Sequence, residues 1–104
     1  MLGWGDIDET RWLAEQRGDA EAQYRMGLLY SSGSGVLRDK REAVKWYRMA
    51  AQQGHASAQE RLGNAYRHGW GVERNFEEAI KWYRMAAEQG DLEAKRALKE
   101  LKVE

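Results

Sequence analysis

Two histidines, His55 and His68, are the residues of this chain best suited to ligate a metal or move a proton near neutral pH. They stand 13 residues apart in a chain without cysteine, a spacing that meets no zinc signature. His55 occupies a position held by Asp19 and Asp91 in related stretches of the chain, at the start of a helical pattern, and His68 falls near a helix C-terminus, where an imidazolium is mildly favoured. Carboxylates gather at Asp6, Asp8 and Glu9 and again at Glu77 and Glu78. Paired carboxylates can act as acid and base. Both groups, however, lie at expected helix N-termini, where a negative charge gains roughly 0.3–1 kcal/mol, and Glu77 and Glu78 also precede Lys81 at helical ion-pair spacing. Neither group needs a reaction to explain it.

Gly33-Ser34-Gly35 and Gly69-Trp70-Gly71 suggest phosphate loops. A dinucleotide fingerprint needs a preceding strand and a further glycine, and a P-loop needs Gly-Lys-Ser/Thr. Here a helical pattern precedes and neither completion follows, so both read as turns. Trp46-Tyr47 and Trp82-Tyr83, beside Arg48 and Arg84, could stack on nucleobases. They fall on an apolar helical stripe in both places, which makes them core. The expectation is therefore no catalytic residue, no metal and no cofactor.

The elements that place these residues come from a repeat. The stretch from Gly18 to Gln53 and the stretch from Gly54 to Gln89 agree at 21 of 36 positions without a gap, a period in the solenoid range. A third copy opens at Gly90 with GDLEAKRAL and runs for half a unit, and Trp12–Gly18 resembles the end of one. Within each unit two apolar stripes follow. Ala22, Met26, Leu29 and Tyr30 precede Ala43, Trp46, Tyr47, Ala50 and Ala51; Ala58, Leu62, Ala65 and Tyr66 precede Ala79, Trp82, Tyr83, Ala86 and Ala87. This is helical periodicity. With no proline, the helices must end on the glycines, and Asp39 and Asn75 stand where N-caps belong. Helices are expected near residues 7–17, 19–32, 39–53, 55–68, 75–89 and 91–102. The fold class is thus all-α: an α/α solenoid of about six helices, forming one domain over 1–104. An N-terminal capping helix (1–17), two units (18–53 and 54–89) and a C-terminal capping helix (90–104) make it up.

Gly27 and Gly63 fall inside helices, where each costs about 1 kcal/mol relative to alanine. Close approach by a neighbouring aromatic is the expected compensation. In the third copy Lys99 takes this position, and its bulk and charge are expected to end the stack with a polar face.

Charge and hydropathy narrow the partners. Seventeen basic residues balance seventeen acidic ones, so no global field draws the chain to nucleic acid. A third of the residues are charged and 42% are hydrophobic, a globular balance. No run approaches the roughly 20 apolar residues of a membrane span, and the first residues lack the basic and apolar regions of a signal peptide. The absence of cysteine fits a reducing compartment. A cytoplasmic, monomeric protein with no membrane contact is the expectation.

The LG-x-x-Y core, the G-x-G-V loop and the A-x-x-W-Y-x-x-A-A-x-x-G tail resemble the Sel-one-like repeat family, α/α relatives of tetratricopeptide repeats. The residues are Met26-Gly27 with Tyr30, Gly33–Val36, and Ala43, Trp46, Tyr47, Ala50, Ala51 and Gly54. In the second unit they are Leu62-Gly63 with Tyr66, Gly69–Val72, and Ala79, Trp82, Tyr83, Ala86, Ala87 and Gly90. The family often carries proline after G-x-G-V, where Leu37 and Glu73 stand here. The resemblance implies an adaptor or scaffold that binds a protein or peptide on a curved surface, and stacked helix pairs favour such a surface over enclosed pockets.

Residues that differ between units are the informative ones, because a shared fold cannot demand the difference. Trp70 replaces Ser34 between two glycines, Arg67 and His68 replace Ser31 and Ser32, and Glu60 and Asn64 replace Tyr24 and Leu28. The expected binding residues are Tyr24, Leu28, Arg61, Asn64, Arg67 and Trp70, with Trp4 covering the N-terminal end of the core. Trp70 is either an interface anchor or a ring folded over the solenoid edge. Rival readings are an immunity or inhibitor protein that neutralises a toxin or effector, and an enzyme acting on a cell-wall or β-lactam ligand, as cysteine-rich relatives suggest. An engineered repeat without a natural partner is the third.

Overall fold

The computed structural model describes residues 2–103, with side chains from Ile7 onward. Among these residues there are six helices and no strand: α1 Leu2–Gln16, α2 Ala20–Ser32, α3 Lys40–Gln52, α4 Ala56–His68, α5 Phe76–Glu88 and α6 Leu92–Glu100. The four central helices start one residue later than the sequence pattern predicts, because the residue before each is its N-cap. Asp19 accepts the Ala22 amide at 2.9 Å, Asp39 the Arg41 and Glu42 amides, and Asn75 the Glu78 amide at 3.1 Å. His55 does the same work through Nδ1, which accepts from the Ala58 amide at 3.1 Å. Each side chain satisfies an amide that the first helical turn leaves without a partner.

The outer helices depart further from expectation. α1 begins at Leu2 rather than near residue 7; no proline interrupts the segment, and its glycines tax a helix without stopping it. The side chains of Trp4 and Asp6 lie outside the described residues. α6 stops at Glu100, two residues early. Lys102 takes a left-handed φ of 61°, and the Val103 amide reaches back to the Leu98 carbonyl at 3.0 Å. That is a Schellman closure, with Val103 packed on the same cluster as Leu98.

Consecutive helices make the broadest contacts among the described residues, and helices two apart touch through side chains, as Arg67 on α4 does with Glu100 on α6. The result is an elongated stack, 47 × 24 × 19 Å. Its core runs the length of the stack as three linked clusters: Ala14, Ala22, Met26 and Trp46; then Val44, Ala51, Leu62 and Trp82 among others; then Ala79, Tyr83, Ala94 and Leu98 among others. Alanine dominates because the helices approach closely. The two mid-helix glycines show how closely: a Cβ on Gly27 would lie 2.5 Å from the Tyr47 ring and one on Gly63 would lie 2.7 Å from the Tyr83 ring. The expected aromatic cover is present in both units.

Several polar groups inside the stack are paired through glutamines, while the indole Nε1 atoms of Trp46 and Trp82 are buried without a partner. Gln53 Nε2 donates to the Gly18 carbonyl and to Gln23 Oε1, both at 2.8 Å. One unit later Gln89 Nε2 donates to the Gly54 carbonyl at 2.9 Å and to Gln59 Oε1 at 3.0 Å. The buried Gln23 and Gln59 donate in turn to the carbonyls of Ala14 and Ala51. The relay satisfies backbone groups that burial would otherwise leave expensive.

Candidate functional site

One face of the stack carries the same cleft twice, one unit apart. The first lies between α1, α2 and the following loop, and is lined by Ile7, Thr10, Arg25, Leu28, Leu29, Ser34 and Gly35, with a volume of ≈ 470 Å³. The second, ≈ 160 Å³, lies among α2, α3, α4 and their loop, and Lys40, Ala43, Tyr47, Arg61, Asn64 and Trp70 are among its walls. Ile7, Arg25, Leu28, Leu29 and Ser34 stand 36 positions before Ala43, Arg61, Asn64, Ala65 and Trp70. The repeat therefore builds the shape, and substitution sets its chemistry. The first cleft is walled by Ile7, Leu28 and Leu29. The second has Ala43, Asn64 and Ala65 in those places, with Tyr47 and Trp70 beside two cations, Lys40 and Arg61. The first carries the equivalent Arg25, which pairs with Glu21 at 3.3 Å.

The loop glycines fix the second cleft's rim. Gly69 ends α4 with φ 74°, its amide donating to the Ala65 carbonyl. A Cβ on Gly71 would lie 2.4 Å from the Lys40 carbonyl oxygen, so the loop presses directly onto the start of α3. Trp70, held between them, is 48% exposed. Its ring stacks on His68 at 4.4 Å and the Lys40 ammonium sits 5.3 Å from its centroid. The ring thus lies along the edge of the solenoid with half of its surface outward.

Tyr47 forms a wall of this cleft, and its hydroxyl is buried without a hydrogen-bond partner. The second unit explains why. There the Tyr83 hydroxyl donates to Asn64 Oδ1, whereas the residue equivalent to Asn64 in the first unit is Leu28, which has no acceptor. Burial pushes the Tyr47 phenol above its ordinary range; Arg61 and Ser31 pull the other way, and Ser31 is near the hydroxyl without forming a proper hydrogen bond to it. Arg61 is 46% exposed, with Glu60 3.8 Å from its Nε. That glutamate is itself drawn off, since Asn64 Nδ2 donates to it at 2.8 Å. Burial raises the Glu60 carboxyl pKa, against the opposing pull of the Asn64 hydrogen bond and Arg61.

Of the six residues expected from sequence, Arg61, Asn64 and Trp70 share this cleft and Leu28 lines the preceding one. Tyr24 and Arg67 are engaged in the fold. Tyr24 stacks on His55 at 4.7 Å and meets Tyr47 at 6.0 Å; Arg67 pairs with Glu100 at 3.0 Å. Lys40 was missed by the sequence reading, although Phe76 at the equivalent position makes it a difference between units of the kind that singled out Trp70. The Tyr47 hydroxyl was missed as well, because a stripe assigns the ring to the core and says nothing of its oxygen.

His55 is occupied on both ring nitrogens. Nδ1 accepts from Ala58, and Nε2 meets Glu21 Oε1 at 2.7 Å, so the proton sits on Nε2. The contact with His55 is the main reason the Glu21 carboxyl is held below the usual range. Among the described residues no three His, Asp or Glu side chains converge as metal ligands, and no helix is long and apolar enough to cross a membrane.

A family model described as Sel1 repeat matches residues 20–55 and again 56–91. Among solved structures, a Sel1 repeat protein from Oxalobacter formigenes superposes with a TM-score of 0.78 at 43% identity, over 80% of this chain and 33% of that one. The protective antigen c5321 of uropathogenic Escherichia coli, described as displaying an SLR fold, gives 0.79 at 42% identity, over 85% and 19%. Helicobacter pylori cysteine rich protein B gives 0.79 at 24% identity over 86% and 68%, a likeness of fold. Among curated proteins, mouse DAP3-binding cell death enhancer 1 is 40% identical over 50 residues, which is 43% of this chain and 10% of that protein. The chain thus spans about a tenth of this relative's length.

Proposed function

This chain belongs to the Sel1 repeat family, and from that membership and the paired clefts we propose that it is an adaptor module that binds a protein or peptide along the cleft-bearing face. Sel1 repeat proteins generally mediate protein–protein interaction, and the fold is typically a non-catalytic interaction module. The rodent relative is named for binding another protein, and the similarity covers part of this chain. The observation that carries the reading is Trp70, a large ring held half-exposed at the rim of a cleft by two close-packed loop glycines. Tryptophans in such settings are favoured as binding anchors.

Trp70→Ser tests it. Serine occupies the equivalent loop position in the first unit, so the helical signal and thermal midpoint should stay close to those of the parent. Affinity purification from the native host, read by mass spectrometry, should recover a partner with the parent chain and lose it with Trp70→Ser. A partner retained in full by a folded Trp70→Ser variant would remove this surface from binding.

A further inference from the structure

The two clefts differ in chemistry in a way that specifies what should fill them. In the second, Lys40 and Arg61 face a shared space, and the carboxylates of the adjoining residues are wholly or partly engaged. Asp39 caps α3, Glu42 pairs with Lys45 at 3.4 Å, and Glu60 accepts from Asn64 through one oxygen while the other lies 3.8 Å from Arg61 Nε. The buried Tyr47 hydroxyl at the wall is a donor that nothing accepts from, a condition that ordinarily costs about 1–3 kcal/mol. Two cations and an orphan donor around ≈ 160 Å³ describe a place for one anionic side chain.

In the second unit a carboxylate lies close to the equivalent tyrosine, whose own hydroxyl donates to Asn64. One unit along, the position of Ser31 is Arg67 and that of Asn64 is Glu100. The Glu100 carboxylate lies 3.0 Å from Arg67, which in turn approaches the Tyr83 hydroxyl. An internal glutamate and its arginine thus close off the space beside the tyrosine. In the second cleft both positions hold small neutral residues, Ser31 and Asn64, and the cations come from other walls.

We infer that the second cleft receives a glutamate or aspartate side chain from an extended segment of the partner, while the first cleft receives an apolar side chain of the same segment. Ile7, Leu28 and Leu29 supply the apolar walls, and the equivalence of the two clefts places them in line. Both clefts draw a wall from α2, Leu28 for the first and Ser31 for the second, and helices two apart touch. The clefts therefore lie about one helix spacing apart, roughly 8–10 Å, which an extended chain covers in about three residues. The partner motif is therefore an apolar residue and an acidic residue at about that spacing. This rests on the adaptor reading.

The test is selection of phage-displayed random peptides on the folded chain, followed by fluorescence anisotropy with the enriched peptides. Enriched sequences should pair an acidic with an apolar residue at the stated spacing. Arg61→Glu and Lys40→Glu, each checked for its helical signal, should weaken those peptides by about tenfold or more, the scale of a lost charged hydrogen bond. Tyr47→Phe, which deletes only an unpaired hydroxyl, should weaken them without lowering the thermal midpoint. Enriched peptides that lack acids, or affinities unmoved by either charge reversal or by Tyr47→Phe, would overturn the acidic assignment; if such peptides still depend on Trp70, the adaptor reading stands. Failure to enrich any peptide, together with no partner from the native host, would overturn both.

Discussion

At the scale of single residues, tight packing outweighs local preference. Gly63→Ala illustrates the contest. Alanine is about 1 kcal/mol better than glycine in a helix, yet its methyl would lie 2.7 Å from the ring of the fully buried Tyr83. Overpacking of that kind costs about 1–3 kcal/mol, so the variant should melt lower despite the better helix former, and so should Gly27→Ala. A higher midpoint in thermal denaturation would mean the tyrosine rings yield easily. Glu60 offers a second case. Burial raises its carboxyl pKa in the folded state, so the folded chain holds this proton more tightly than the unfolded chain. The group's contribution to stability is then most favourable below its ordinary pKa and is lost as pH rises through the folded value. Glu60→Gln keeps an oxygen to accept from Asn64 and removes the charge. Relative to the parent it should be more stable at pH 7, with the gain shrinking toward pH 4, as read from paired melting curves.

At the scale of elements, the loops are where one unit is distinguished from the next. Gly35 and Gly71 have nearly the same φ, 78° and 75°, yet their surroundings differ. A Cβ on Gly35 would meet the tip of Ile7, a flexible side chain, whereas one on Gly71 would strike the backbone carbonyl of Lys40. Gly71→Ala should therefore lower the midpoint more than Gly35→Ala, the shared strain at positive φ cancelling between them; equal losses would show that backbone strain alone sets the cost. The helices themselves were legible in the sequence, because a 36-residue period repeats stripe, cap and glycine at fixed offsets. Even His55 was legible as an N-cap, through its equivalence to Asp19 and Asp91. The clefts were less so. Their walls come from three helices and a loop, so a rule applied to one stripe at a time groups Tyr24 with Asn64 and passes over Lys40. Arg67 stood out as a difference between units, but its Glu100 partner lies 33 residues away, and no local pattern reports the pairing.

At the scale of the whole molecule, contacts between consecutive helices make stability nearly one-dimensional. The helices at the two ends each have one packed neighbour among the consecutive helices, while α2 to α5 each have two and α3 and α4 lie furthest from the ends. Native-state hydrogen exchange should accordingly show the strongest protection in α3 and α4 and the weakest in α1 and α6; uniform protection would indicate one indivisible unit. The glutamine relay carries a consequence for how such chains diversify. Gln53 bonds the carbonyl of Gly18 and Gln89 that of Gly54, so each bond joins the last residue of a module to its first. One inserted residue within either helix turns everything beyond it by about 100° and shifts it about 1.5 Å, and the amide would miss its target. The relay is a ruler. It lets the module be respelled almost anywhere while resisting insertions and deletions, so novelty in what is recognised has to arrive by replacing side chains, as tryptophan has replaced serine at the rim.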